Sequence, residues 1–152
     1  MDIEKKLQEL NITIPSAAAP AANYLPYIIN EKELLISGQL PMQDGKLIYQ
    51  GKLGDNISDE DGIKAAELCA INLVAQAKAA VKDLNNILKC LKLEIFVNST
   101  ENYQDHPKIG NGASNMMVNI FGEAGKHSRF AMGAHSLPFN AAVEIGAIFK
   151  IK

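Results

Sequence analysis

Between His127 and Lys152, two runs of alternating apolar and polar residues flank Leu137-Pro138-Phe139-Asn140. Alternation with that period marks β-strands, and the short interval predicts that the two runs pair as a hairpin. One face of the first run would carry Phe130, Met132 and Ala134, and the other Arg129, Ala131, Gly133 and His135. Val143, Ile145, Ala147 and Phe149 of the second run are assigned to the Phe130 face, which leaves Glu144, Gly146 and Lys150 beside Arg129. Arg129 and Glu144 are therefore expected on one face of one hairpin.

The remaining pattern supplies the support. Ile3, Leu7 and Leu10 recur at helical spacing among charged residues, predicting a short amphipathic helix that Pro15 ends, and Ser16 to Ala22 reads as an ordered linker laid over the surface. Tyr24 to Ile29 and Leu34 to Ser37 read as two strands joined at Asn30-Glu31-Lys32, after which Ser37-Gly38-Gln39 leaves the sheet. Lys46 to Leu53 reads as a further short strand beyond the Asp44-Gly45 turn. Ser58 followed by three acids is a helix start, and an apolar stripe from Ile63 through Ala66, Ala70, Leu73 and Ala77 carries that helix to about Ala80. Leu84 to Val97 reads as a third major strand. His106 to Phe121 reads as a second main helix, with Met116 and Met117 as core filling and Gly122 as its C-cap. The order predicts one α+β domain over 1–152, with helix and linker in 1–22, a core in 23–152, and two main helices packed on one face of a mixed sheet. The other face is then left for water or a second copy.

Charge and cysteine usage narrow the function. The net charge is −2 with no basic run, and no aromatic residues interleave with bases, so the footprint of a nucleic-acid binder is missing. Cys69 and Cys90 are isolated and read as buried, reduced residues, and the acids after Ser58 read as helix capping rather than a metal site. No signal segment or membrane-length apolar run is present, which makes a cytoplasmic protein the expectation. Arg129 is the single arginine among 15 basic residues, and a guanidinium forks a carboxylate in a way no ammonium can. It reads either as such a fork or as an ion pair, Glu144 being one partner for the latter. Gly133 and Gly146 are consistent with close approach of a ligand or of backbone.

Ser37-Gly38-Gln39-Leu40-Pro41, Arg129 eight positions before Leu137-Pro138, and Val143-Glu144-Ile145 together resemble the reactive-intermediate deaminase family, the YjgF-like proteins also called perchloric-acid-soluble endoribonucleases. The resemblance runs from Tyr24 to the C-terminus. Asn111 to Asn115 and Phe121 to His127 are similar to a longer subgroup of that family. It implies a chorismate-mutase-like fold, a homotrimer with sites between subunits, and hydrolysis of 2-aminoacrylate or its imine to a 2-oxo acid and ammonia, with no metal or cofactor. By position, Arg129 would bind the substrate carboxylate, Glu144 would hold or activate water, Ser37 and Gly38 would border the carboxylate with Gly133, and Tyr24 or Tyr27 would stand for the family's early tyrosine. Two other functions compete. One is a trimer that binds a small carboxylate without turnover, and the other is an endoribonuclease using His127 and His135 on the Arg129 face.

Overall fold

The computed structural model describes residues 1–152. Ser58 Oγ accepts the backbone N–H of Asp61 at 3.1 Å and opens the longest helix, α2 (Asp59–Val81), with Asp59, Glu60 and Asp61 at its positive end. Its small residues, among them Ala66, Cys69, Ala70 and Ala77, are fully buried, so this helix lies close on the sheet. A second helix, α3 (His106–Phe121), packs beside it and ends at Gly122 with φ of 59°. Both agree with the sequence pattern. The short α1 (Ile3–Glu9) buries Ile3 and Leu7 and ends well before Pro15, with Leu10 as its cap and Asn11 turning the chain at a left-handed φ of 55°.

The strands are β1 (Tyr27–Asn30), β2 (Glu33–Gln39), β3 (Met42–Gln43), β4 (Lys46–Leu47), β5 (Ile87–Asn98), β6 (Ser128–Ala134) and β7 (Val143–Ile151). Five form one mixed sheet in the order β1-β2-β7-β5-β6, and β3 and β4 pair apart from it. The first strand starts at Tyr27 rather than Tyr24, and the stretch read as a strand from Lys46 to Leu53 is extended only as far as Leu47. Hydrophobic side chains from all three helices and from the helix side of the sheet join one cluster, including Leu7, Leu73, Met117, Ile95 and Phe149.

The expected β6–β7 hairpin does not form. β5 lies between the two strands, pairing with β6 in parallel and with β7 antiparallel. The cause is α3, which connects β5 to β6 and returns the chain to run the same way, as a helical crossover does. Residues 135–142 then cross the end of β5. Asn98 N donates there to the Ala142 carbonyl at 2.9 Å, and Gly51 N to that of Asn140 at 2.8 Å.

Register also overturns the face assignment. Leu93 sits opposite both Arg129 and Ala147, and Phe96 opposite both Met132 and Glu144. Partners in register point to the same side, so Arg129 lies on the helix side with Val143 and Ile145, while Glu144 lies on the open side with Phe130 and Met132. Ser37-Gly38-Gln39 stays in the sheet instead of leaving it. Ile36 pairs with Ala147 and Gln39 with Ile145, so Ser37 and Gly38 together face the single residue Gly146 as a β-bulge.

Candidate functional site

The bulge explains the Ser-Gly pair. A side chain at Gly38 would overlap Glu144 Oε1 and stand 2.9 Å from its Cδ, so glycine leaves the space that the carboxyl fills. Glu144 is half-buried, and no hydrogen bond or ion pair offsets this. Burial therefore pushes its carboxyl above the ordinary glutamate range. Ser37 donates its hydroxyl proton to the Pro26 carbonyl at 3.0 Å and keeps its oxygen free to accept. Ser37 and Gly38 form part of the lining of a chamber of about 430 Å³, together with Tyr24 and Phe139. Tyr27, the other tyrosine candidate, pairs with Ile36 on the helix side and packs against the core. Of the two, Tyr24 is the one placed beside the bulge.

Arg129 belongs to a different neighbourhood. Nη1 donates to Ser114 Oγ at 2.9 Å, and Nη2 donates to Asn111 Oδ1 at 2.9 Å and to the Pro107 carbonyl at 3.0 Å. Ser114 Oγ also lies 2.9 Å from His127 Nε2, and because a carbonyl can only accept, His127 Nδ1–H donates to that of Gly125 at 2.6 Å. Both ring nitrogens of His127 are thereby engaged. Three of the five guanidinium N–H groups serve α3, and two remain.

Gly133 lies at a third place. A side chain there would come within 2.7 Å of His106 Nε2 and 2.8 Å of Ser99 Oγ, which are hydrogen-bonded to each other at 3.0 Å. The close approach read from this glycine is thus an internal one. Gly146 meets only ordinary contacts, the nearest at 3.4 Å. His135 and Lys52 border the cleft at Gly133, and the Lys52 ammonium donates to Asn98 Oδ1 and to the His135 carbonyl. His127 and His135 do not share a cleft.

Asp59 accepts from Tyr103 Oη at 2.7 Å and from Lys108 at 3.0 Å, which lowers its pKa and ties α2 to α3. Both cysteines are buried. Burial raises the Cys69 thiol well above its ordinary value and pushes Cys90 up to about 12, so neither is a nucleophile at neutral pH. No trio of His, Cys, Asp or Glu gathers as a metal-ligand set. No helix is long and apolar enough to cross a membrane.

The sequence motifs thus separate into two groups. Tyr24, Ser37, Gly38 and Glu144 meet around the bulge, while Arg129 and Gly133 stand on the edge strand β6 with their side-chain positions on the helix side. Within one chain, Glu144 and Arg129 are two strands apart and three residues out of register, about 10 Å in each direction, and on opposite faces. Sequence reasoning missed the Ser114, His106 and Gln76 contacts. Ser114 had a readable signal, being spaced with Asn111 as a polar i, i+3 pair within an amphipathic helix.

The chain matches, over residues 4–149, the family model described as "YjgF/chorismate_mutase-like, putative endoribonuclease". It is 40% identical to Protein TCP17 of Trypanosoma cruzi, covering 98% of this chain and 94% of that one. The protein Atu1372 of Agrobacterium tumefaciens, of unknown function, has a solved structure that superimposes with a TM-score of 0.92 at 45% identity, covering 99% of this chain and 92% of the other. A Shewanella oneidensis structure with the same endoribonuclease description gives a TM-score of 0.96 at 35% identity over 99% of this chain and all (100%) of its own. Matches of this extent, over nearly the whole chain, place it in the YjgF-like family.

Proposed function

We propose that this chain hydrolyses 2-imino acids to 2-oxo acids and ammonia, at a site completed by a second copy of itself. The observation that carries the reading is Glu144: a half-buried carboxyl without a partner, raised in pKa by burial and packed against Gly38, which lines a chamber large enough for a small molecule. Its carboxylate takes a proton from water as the oxygen attacks C2 of the imine. Glu144 returns that proton to the nitrogen as the C=N bond becomes C–N, then takes the hydroxyl proton of the adduct and passes it to the nitrogen, so ammonia leaves as the C2–O bond becomes a carbonyl.

The substrate carboxylate is bonded directly to C2, so its anchor must lie within a few ångströms of the attacking water. No lysine or arginine lines the chamber. Arg129 of the same chain is too far away and on the wrong face. An Arg129 presented from the β6 edge of a neighbouring copy, held in position by α3 and with two N–H groups free, meets the requirement. The family resemblance implies three copies. An RNA-cleaving reading needs two cooperating groups and a phosphate track, whereas His127 is fully engaged and separate from His135.

The test generates imino acid with an amino-acid oxidase and traps the remainder with semicarbazide. Wild type should accelerate imine loss, and Glu144→Gln should lower kcat by about 10²-fold or more, since general-base help contributes about 10²–10⁴-fold. Because the ionised form is the base and its pKa is raised, the rate should climb with pH through a limb above the ordinary glutamate value. That limb should vanish in Glu144→Gln. A wild type that binds 2-oxo acids but leaves imine loss unaltered would replace hydrolysis with a binding role.

A further inference from the structure

The chamber lined by Ser37 and Gly38, with the Glu144 carboxyl behind Gly38, is larger and more apolar than a three-carbon imine requires. About 430 Å³ lies under the segment Ala18-Ala19-Pro20-Ala21, with Leu40, Met42, Leu47 and Phe139 among the other walls, and no charged side chain lines it. The methyl or methylene of an alanine- or serine-derived imine displaces roughly the volume of one water, about 30 Å³. Such a substrate would leave most of the chamber empty.

The walls are held in place rather than merely adjacent. Gln76, only 2% exposed, donates from Nε2 to the Ala18 carbonyl at 2.8 Å and so ties the 18–21 segment to α2. One turn earlier on the same helix face, Asn72 Nδ2 donates to the carbonyls of Leu40 and Met42 at 2.9 and 3.0 Å, fixing another segment of the lining. The small residues of the segment are what leave the volume open. Phe139 borders the chamber from a left-handed backbone position, φ 56°, with the residue 66% exposed and its carbonyl held by Gln50 Nε2 at 2.9 Å. A non-glycine residue held there is strained, and such positions persist where the surroundings impose them.

We infer that this chamber receives the side chain of the substrate and makes the protein selective for 2-imino acids with a bulky apolar side chain, of the leucine or phenylalanine type, over three-carbon imines. The inference rests on the hydrolase reading above and adds the substrate class to it. The imino carbon stands at the Gly38–Glu144 end, and the side chain runs under the 18–21 segment. A phosphorylated or cationic side chain finds no counter-charge there, because the polar lining consists of amides and hydroxyls.

One methylene in an apolar pocket typically changes kcat/KM by about 10–200-fold. The kcat/KM for imines made from L-leucine or L-phenylalanine should therefore exceed that for the L-alanine imine by at least about tenfold. Ala19→Phe and Leu47→Phe each add bulk to the chamber, from two separate segments of its lining. Each should lower the leucine-to-alanine ratio toward one, with the thermal midpoint confirming that the variants fold. In parallel, calorimetric titration with the 2-oxo acid of leucine and with pyruvate reads binding apart from turnover. If all imines are hydrolysed with a ratio near one, or if both folded variants keep the wild-type ratio, the chamber assignment is overturned and the hydrolase reading stands. If no imine is hydrolysed but the leucine-derived 2-oxo acid binds more tightly than pyruvate, and the variants abolish that preference, the hydrolase reading is overturned and the ligand class stands. If neither turnover nor preferential binding is seen, both are overturned.

Discussion

Arg129 shows how one side chain can be anchored and still be available. Its Nη1 and Nη2 groups bond Ser114, Asn111 and Pro107 of α3, which fixes the plane of the guanidinium before any ligand arrives. Lysine would keep the charge but replace the planar fork with one flexible ammonium. Arg129→Lys should therefore act on the fold as well as on any ligand. Loss of one charge-assisted bond costs about 1.5–3 kcal/mol, less where water screens it, so the urea midpoint should fall. If Arg129 also anchors a carboxylate in a neighbouring copy, KM should rise about tenfold or more in the same variant, since about 1.4 kcal/mol is a factor of ten. A fall in stability with KM unmoved would leave Arg129 as a tether of α3 alone. That the lone arginine was special could be read from composition, because every other base is lysine. Its partners could not, since they lie 15 to 22 residues upstream on a helix whose orientation depends on packing.

At the scale of elements, local pattern was informative, and pairing was legible where a tight turn joins β1 to β2 but not at β6 and β7. The Ser58 cap, the small apolar stripe of α2 and the span of α3 followed from propensity, capping and period, which are properties of neighbouring residues. The β6–β7 hairpin failed because alternation identifies a strand without naming its partner. Here β5 and its α3 crossover took the place beside β6. That error carried through to the site by setting Arg129 and Glu144 on one face. The bulge was hidden for the same reason: Ser37 and Gly38 reveal an extra residue only against the register of β7. Its role can be tested with Gly38→Ala, whose methyl would occupy the space of the Glu144 carboxyl. Half-buried Glu144 can swing aside at small cost to the fold, and misplacing a catalytic group by on the order of 1 Å costs about 10²-fold in rate. Imine hydrolysis should fall by that factor while the thermal midpoint moves little. Full activity in Gly38→Ala would separate the bulge from the chemistry.

For the whole molecule, the decisive feature is the sheet face without helices. It carries Ile28, Leu35, Ile148, Phe96, Phe130 and Met132, with Ile28 54% and Met132 46% exposed, and its Lys92–Glu94 ion pair at 3.1 Å sits beside the Phe130 ring. An apolar face of this breadth is what a subunit contact covers. If three copies cover it, as the family resemblance implies, light scattering should give about three times 16.5 kDa. Assembly by itself does not show that a site is shared, but mixing inactive variants does. Arg129→Ala should lack the anchor at every site and Glu144→Gln the base at every site, so each alone should be inactive. Suppose the two are unfolded together, refolded at equal amounts and allowed to assemble at random. A site built from one copy's Arg129 and another's Glu144 then draws two wild-type residues in about one case in four, so activity should return to about a quarter of wild type. A site contained within one chain draws both residues from the same copy, and no mixture restores it. A refolded mixture that matches wild type in mass but stays as inactive as its parents would exclude the shared site and return the carboxylate anchor to the chain that carries Glu144.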